Sequence, residues 1–476
     1  MNIALMTEGT YPHSFGGVSV WCDQLVRGMP KNSFHLVALV GTDDERVVWE
    51  LPPNVVSVTA IPLWGENRNR RPGRAAARTF GRLIRSFFAV LLDHSADSAA
   101  GEQRFAEVLR ALFEYAQQED LSAALRAEDT VRGLLDTWHE VRAGDLGPTV
   151  HDAVTGLRLL EHSLRPLSAP PVRADVSHCV ANGLAALPAL AAKWAHGTPI
   201  LLTEHGVYLR ERYLGYRDSP YRWPVKTLHL AFLRAVCVLA YREAAMVAPG
   251  NMYNQRWEER LGAPHALIRT VYNGVDPSAF PPVEAEPDVP TVTWAGRIDP
   301  IKDLDTLIEA FALVHKEIPE ARLRLFGGFP VGNQPYLDHC QELAERLGIG
   351  TVTTFEGRID QIRDAYVAGH VVALSSISEG FPYTVIEAMT CGRPCVATDV
   401  GGVSEAIGDT GIVVPPRDPT AMAAACVRLL TDHSRRARLG AAARNRVLEF
   451  FTLDKAIDTF DELYRNLGST QEATAA

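Results

Sequence analysis

The chain has 476 residues, 47% of them apolar and 22% charged, with a formal net charge of −10. That length exceeds what one hydrophobic core serves and predicts two domains, or three; the balance excludes a disordered chain. The acidic excess argues against nucleic acid as a partner, but leaves room for an anionic ligand held by a few local cations.

The N-terminus reads MNIALMTEGTYP. No basic segment precedes the apolar run, which ends at Thr7 and Glu8, so it predicts a first strand rather than a signal peptide. A loop with Gly16 and Gly17 follows, then a helix over 18–29 and a strand in HLVALVG. VSVTAIPLW, ADVSHCV, PILLTEHG and AAMVAPG continue the alternation of strand and helix, which predicts a parallel sheet wrapped by helices.

Residues 66–170 break that rhythm. Apolar residues recur three and four apart through QRFAEVLRALFEYA, DTVRGLLDTWHEV and HDAVTGLRLLEHSL, the pattern of a helical insertion. The basic loop ENRNRRPGRAAAR precedes it and reads as a solvated, mobile segment; the alternative is contact with an anionic acceptor or a membrane surface. The longest apolar stretch, Leu228 to Tyr241, is interrupted by Arg234 and reads as a buried helix, too short and too charged to span a bilayer. A cytoplasmic protein is expected, with recruitment to the inner face of a membrane as an option. The seven cysteines, an odd count with no C-x-x-C pair, read as reduced, buried thiols.

VYNGVDPSAFPPVEAEPDVP, rich in Pro and acids, marks a domain boundary. The expected division is an N-terminal domain over 1–275 and a second over 276–450, with 451–476 as a C-terminal helix and disordered tail packing back toward the first. TVTWAG, RLRLFGG, TVTTFEG, HVVALSS, PCVATD and GIVVPP supply the strands of the second domain, with helices between them. Ligands of such open parallel sheets bind beyond the carboxyl ends of the strands, and the chemistry-bearing motifs fall there.

Arg297 closes TVTWAGR, and Lys302 begins the next helix. A guanidinium, an ammonium and a helix N-terminus can balance a diphosphate without a metal; the plainer reading is two surface cations beside a turn. Glu379 and Glu387 stand with seven residues between them in SSISEGFPYTVIEAM. Glu387, on a predicted helix, suits the vicinal hydroxyls of a ribose, and Glu379, in the loop before it, suits sugar hydroxyls. The amides of Gly380, Phe381, Tyr383 and Thr384 lie near that helix start, and Pro382 has none to give. Arg358 ends another strand and is a candidate for the base pocket. Asp303-Leu304-Asp305 spells D-x-D, but at a helix start, where aspartates cap free amides; with no His/Cys cluster elsewhere, no metal site is expected.

GRIDPIKDLDTLIEAF, SSISEGFPYTVIEAM, PCVATDVGGVSEAI and GIVVPPRDP together resemble the nucleotide-binding half of the family 4 glycosyltransferases, over 291–450. The resemblance implies the GT-B fold, α/β with two facing Rossmann-like domains: the first on the acceptor side, with the helical insertion over about 66–170, and the second binding the nucleotide-sugar. It implies retaining transfer from a nucleotide-sugar donor. Arg297 and Lys302 would hold the diphosphate, Glu379 the transferred sugar and Glu387 the ribose. GTYPHSFGGVSVW is similar to the glycine loop of the family's first domain, with Gly16 and Gly17 allowing close approach, and LTEHGVYLRER puts His205 where a histidine helps position the donor sugar. GGVSVW, TEHGVYLRER and the insertion are closer to the PelF-type glycosyltransferases of exopolysaccharide synthesis. That subgroup implies UDP-glucose as donor, a carbohydrate or lipid-linked acceptor, a membrane synthase complex as partner and no cofactor. Pro382 departs from the glycine that many relatives carry, which puts the sugar contacts there in question. Two rivals keep the same architecture: a nucleotide-sugar epimerase or phosphorylase, and a non-catalytic nucleotide-sugar-binding subunit.

Overall fold

The computed structural model describes residues 1–475 except 66–71, 94–97, 142–146, 284 and 331. The chain divides into two units. The first comprises Met1–Pro249, Gln255–Thr270 and Phe460–Ala476, and the second Gly250–Asn254 and Val271–Thr459.

In the first unit the order is β1 (Asn2–Glu8), α1 (Gly17–Gly28), β2 (Ser33–Val40), β3 (Val55–Pro62), then five helices: α2 (Arg74–Leu92), α3 (Ala99–Ala116), α4 (Leu121–Leu125), α5 (Glu128–Val141) and α6 (Val150–Leu164). There follow β4 (Val176–Cys179), α7 (Ala186–His196), β5 (Ile200–Leu202), α8 (Tyr208–Arg217), α9 (Trp223–Glu243), β6 (Met246–Val247) and α10 (Met252–Arg260), which belongs to this unit from Gln255 onward. All strands pair in parallel, in the order β3-β2-β1-β4-β5-β6. Ile3 to Met6 are wholly buried, as expected for a central strand covered on both faces.

The five inserted helices share the core of the sheet. Phe80, Phe87, Phe105, Leu112 and Trp138 join one apolar cluster with Ala4, Met6, Val37 and Leu39. Ser98 caps α3 by accepting from the Gly101 amide, and Thr149 and Asp152 form a capping box on α6. The basic loop is shorter than the sequence suggests. Residues 66–71 lie outside the described residues, and from Arg74 the run RAAAR is already α2, in keeping with the helix propensity of Ala and Arg.

The apolar stretch at Leu228 lies in α9, which at 21 residues is longer than the sequence reading allowed and has the length and composition to cross a membrane. Twelve of its residues are buried in the unit, among them Leu228, Phe232, Leu233, Val236 and Tyr241, which is the pattern of a core helix.

The second unit runs β7 (Thr291–Ala295), α11 (Leu304–Glu317), β8 (Arg322–Phe326), α12 (Gln334–Arg346), β9 (Thr353–Gly357), α13 (Ile362–Val367) and β10 (Val371–Leu374). It continues with α14 (Tyr383–Thr390), β11 (Cys395–Thr398), α15 (Val403–Ile407), β12 (Ile412–Val414), α16 (Pro419–Thr431), α17 (His433–Phe450) and α18 (Leu453–Ala475). Its parallel sheet has the order β12-β11-β10-β7-β8-β9. Counted from β7, this is the arrangement of the first unit: the second and third strands lie on one side of the first, and the fourth to sixth on the other. Both are the 3-2-1-4-5-6 order of a dinucleotide-binding sheet, whose ligands bind where the strand order reverses. That point falls between β1 and β4 in one unit and between β7 and β10 in the other.

The tail GSTQEATAA, expected to be disordered, continues α18 as far as Ala475. From Phe460 onward α18 belongs to the first unit. Phe460 packs on Trp21, and the Tyr464 hydroxyl bonds His178 Nδ1 at 2.6 Å. All seven cysteines are free and buried.

Candidate functional site

The second unit places Arg297, Lys302 and Glu379 on the loops after β7 and β10, at the reversal of strand order, with Glu387 on α14 and Arg358 after β9. β7 ends at Ala295, and Gly296 then lies against the turn after β8. The Gly296 amide donates to Phe326 O at 2.9 Å and the Ile298 amide to Gly328 O at 2.9 Å. Gly327 has φ +144, and a Cβ on it would stand 1.7 Å from Gly296 O, so only glycine lets these loops lie together. Arg297 extends from this ridge, 62% exposed, with its guanidinium 3.3 Å from Asp299. Arg358 is exposed after Gly357, beside Gly328.

Lys302 is fixed at both ends. The turn Pro300–Lys302 is capped by Asp299, whose side chain accepts from the Ile301 amide at 3.1 Å. The loop after β10 grips the same turn: Ser375 Oγ donates to Lys302 O at 2.8 Å and the Ile377 amide to Ile301 O at 2.9 Å. The ammonium then lies 2.6 Å from Glu379 Oε1, with side chains 23% and 12% exposed. Ser376 Oγ donates to that oxygen at 2.5 Å. The sequence assigns the lysine and the glutamate to different parts of one ligand; the structure pairs them directly.

Glu379 and Gly380 rest on a glycine pair after β11. Gly401 has φ +55, and its Cβ would meet Glu379 O at 1.8 Å; the Gly402 amide donates to Gly380 O at 2.8 Å. Phe381 is buried against Tyr272 and Phe451, each 5.1 Å away between ring centres, so its side chain serves the core. Pro382 is the N-cap residue of α14, and among the described residues no side chain caps that end, so the helix begins at Tyr383 with its positive pole beside the Glu379 loop. The Thr384 hydroxyl ties α14 to Ala295 O at 3.4 Å. Glu387, half-buried on α14, accepts from the Tyr366 hydroxyl at 2.5 Å. Burial raises its pKa, with the Tyr366 bond acting in the opposite direction.

The aspartates of the D-x-D stretch are engaged within the unit, though not as amide caps. Asp303 accepts from the Thr306 hydroxyl at 2.7 Å, and Asp305 from Tyr336 at 2.7 Å and His339 at 2.5 Å. The Leu304 amide goes to the Tyr336 hydroxyl at 3.0 Å instead.

In the first unit, the loop after β1 turns at Gly9, with φ +61. Gly16 is extended and Gly17 opens α1; a Cβ on either would meet nothing within 4 Å. The space beside them is open, and neither glycine is demanded by backbone or packing. Around this loop Glu8 Oε2, Thr10 Oγ1, both ring nitrogens of His13 and Ser19 Oγ are buried without a hydrogen-bond partner among the described residues. Polar atoms left so are uncommon and point to something absent from the chain itself. His205 follows β5, its ring edge-on to Trp21 at 4.6 Å and its Nε2 equally unpartnered. Burial brings its pKa down to about 4, so the ring is neutral at pH 7.

Sequence reasoning missed the residues that hold these groups: Ser375, Ser376, Gly401 and Gly402 in the second unit, Glu8 and Arg212 in the first. The doublets SS and GG after strands were the available signals for the first four. Glu8 and Arg212, paired at 2.6 Å across most of the unit's sequence, offered none.

Two sheets of one strand order, each with polar loops at its reversal, define a GT-B architecture. The chain belongs to the family described as Domain of unknown function (DUF3492), whose model matches residues 1–266. Residues 289–432 match the model described as Glycosyl transferases group 1. Among curated relatives, D-inositol 3-phosphate glycosyltransferase of Streptomyces bingchenggensis is 33% identical over 43% of this chain and 48% of its own length. The enzyme of the same name from Kribbella flavida is 37% identical over 38% and 47%. The chain thus spans about half the length of the relatives it matches. Among solved structures, Anabaena HepE in complex with UDP and glucose has a TM-score of 0.60 at 16% identity, covering 97% of this chain and 98% of its own. Sucrose-phosphate synthase of Thermosynechococcus elongatus has 0.63 at 20% identity, covering 98% and 99%. At such identity the likeness is one of fold.

Proposed function

We propose that the chain is a retaining glycosyltransferase that moves a hexose from a UDP-sugar, UDP-glucose first, to an acceptor hydroxyl during exopolysaccharide assembly. The observation that carries this reading is the placement of Lys302. Two loops from either side of the reversal point fix it, and a carboxylate 2.6 Å away holds its ammonium where a ligand phosphate would arrive. Exposed Arg297 adds a second cation on the adjacent loop, and the N-terminal end of the α14 dipole adds partial positive charge.

Together these groups suit the charge that develops on a leaving diphosphate. Stabilising such charge with preorganised donors is the largest single contribution in many enzymes. The diphosphate oxygen itself takes the acceptor proton, on the face where the acceptor arrives. Glu379 accepts from hydroxyls of the transferred sugar, Glu387 from the ribose, and Arg358 borders the base. In the first unit the neutral His205 offers its unpartnered Nε2 to a substrate hydroxyl, and Gly16 and Gly17 leave room for substrate.

The reaction needs no metal in this reading, since Asp303 and Asp305 are occupied by Thr306, Tyr336 and His339. UDP is proposed because the GT-B neighbour from Anabaena is solved with UDP and glucose. The PelF-type resemblance supports exopolysaccharide, a cytoplasmic location and a membrane synthase as partner.

The test is transfer from UDP-glucose and other UDP-hexoses to a panel of saccharide acceptors, with the product anomer read by NMR. An α-linked product from an α-donor is expected. Inversion, an isomerised sugar formed from donor alone, or tight UDP binding without turnover on any acceptor would each replace this reading with another.

A further inference from the structure

Apart from the groups assigned above, the first unit holds a cavity of about 220 Å³ at the reversal point of its own sheet. Glu8, the last residue of β1, and Leu184, just beyond β4, form its floor. Its walls come from α6, α8 and α9, so the helical insertion closes one side.

Its polar groups are mostly uncharged. Glu8 Oε1 pairs with Arg212 at 2.6 Å and takes the Tyr208 hydroxyl at 3.5 Å, while Oε2 is buried and unpartnered. Arg212 is the one cation among the described residues lining the cavity, and it is already paired. His162 Nδ1 is also buried without a partner among the described residues. Burial pushes the pKa values of His162 and His229 down to about 4, so both rings are neutral at pH 7. His229 is oriented by Ser163 at 2.8 Å and by Tyr216. Trp64, 46% exposed, packs on His162 at the rim and offers an indole face.

An unpaired phosphate entering here would meet Glu8 and no free cation. A neutral ring with several hydroxyls meets a carboxylate oxygen, an imidazole nitrogen and an aromatic face. The volume lies below the roughly 300–1,000 Å³ of pockets for drug-sized ligands, and suits one sugar ring rather than a nucleotide. We propose that this cavity is the acceptor site and binds the terminal, uncharged sugar unit of a saccharide, with Glu8 and His162 reading its hydroxyls and Trp64 covering its apolar face. The assignment as acceptor rests on the transferase reading; the saccharide preference stands on the cavity alone.

The test is saturation-transfer NMR on the full chain with maltotriose, cellotriose and chitotriose, against inositol 3-phosphate and inorganic phosphate. At least one neutral trisaccharide should bind at millimolar concentration. Trp64→Ala and Glu8→Gln should each weaken it at least fivefold, and Trp64→Phe should restore most of it. Circular dichroism on each variant separates loss of binding from loss of fold. Lys302→Ala, whose change lies in the other unit, should bind the saccharide as wild type does. No neutral saccharide bound, binding indifferent to both variants, or binding of the phosphorylated probes alone would overturn the proposal. A wild type that binds saccharide at Trp64 but no UDP-sugar would remove the transferase reading and leave the cavity's specificity in place.

Discussion

Lys302 Nζ and Glu379 Oε1 stand 2.6 Å apart, on loops that follow β7 and β10 and are also joined through their backbones. The pair is partly buried, so it feels a lower dielectric than a surface ion pair, and it has a defined geometry before any ligand arrives. In the proposed reaction, the carboxylate that neutralises the lysine in the free protein would become available to sugar hydroxyls when a phosphate takes the ammonium. On that reading one contact would couple phosphate binding to sugar binding.

Lys302→Ala is expected to lower kcat by roughly 10²–10³-fold, the range for removal of one preorganised charge-stabilising group. Loss of a partly buried pair should reduce stability by about 1–2 kcal/mol, between the surface and buried cases. Initial rates with UDP-glucose and a thermal melt measure the two effects. Near-normal turnover in a folded variant would refute the role given to this lysine.

Two glycine positions separate structural from functional need. Gly401→Ala puts a methyl 1.8 Å from Glu379 O at φ +55, so the Glu379 loop must move; a loss of about 1–3 kcal/mol and weaker UDP binding are expected. Gly16→Ala meets nothing in the protein and should leave the melting temperature within a degree or two. Its turnover should nonetheless fall if substrate occupies the open space. A Gly16→Ala enzyme with unchanged kcat/KM would show that the space is not used.

Much of this was legible in the sequence because parallel sheets are covered on both faces. Their strands appear as short apolar runs, such as NIALM and VVAL, each followed by a polar loop, and the loops carried Arg297, Lys302 and Glu379, with Glu387 on the helix after the last of them. The insertion was legible as helix because Phe105, Leu109, Leu112 and Phe113 keep a 3.6-residue period. Pairing across the fold was not. Nothing local in YVAG announces that Tyr366 will meet Glu387, or in RERYL that Arg212 will meet Glu8. A glycine doublet does not say which backbone lies against it. Strand order sets these contacts, and sequence alternation leaves it open.

Metal dependence offers an independent check. Asp303 and Asp305 bond side chains of α11 and α12, so EDTA should leave transfer unchanged and Asp305→Asn should change stability more than rate. The Tyr336 and His339 bonds to Asp305 are hydrogen bonds to a charged group, and weakening them should cost about 1–3 kcal/mol. Loss of transfer on chelation, restored by Mg²⁺ or Mn²⁺, would contradict the proposed chemistry.

The last prediction concerns an acid pair of the first unit. Glu204 and Glu258 are buried; Tyr241 donates to Glu204, while both oxygens of Glu258 lack a partner among the described residues. Burial raises the pKa of each; at Glu204 the bonds from Tyr241 and the Tyr208 amide act against it, while at Glu258 the charges of Glu204 and Glu259 raise it further. A carboxyl whose folded pKa exceeds its unfolded value of 4.5 keeps its proton in the native state while the unfolded chain releases it. Its stabilising effect is complete below 4.5 and is lost as pH rises through the folded pKa. His178, His205 and His229, whose pKa values burial lowers from 6.5, act in the other sense: their contribution is lost as pH falls below 6.5. Above pH ~7 these histidines are neutral in both states, and the slope belongs to the acids. The melting temperature should therefore fall between pH 7 and 9. Glu258→Gln, which cannot ionise, should flatten that slope and stabilise the protein at pH 8 by about 1–2 kcal/mol, since each pKa unit corresponds to about 1.4 kcal/mol. Parallel melts of wild type and variant across this range decide it; a Glu258→Gln protein less stable than wild type at pH 8 would mean that the ionised carboxylate is held by a partner.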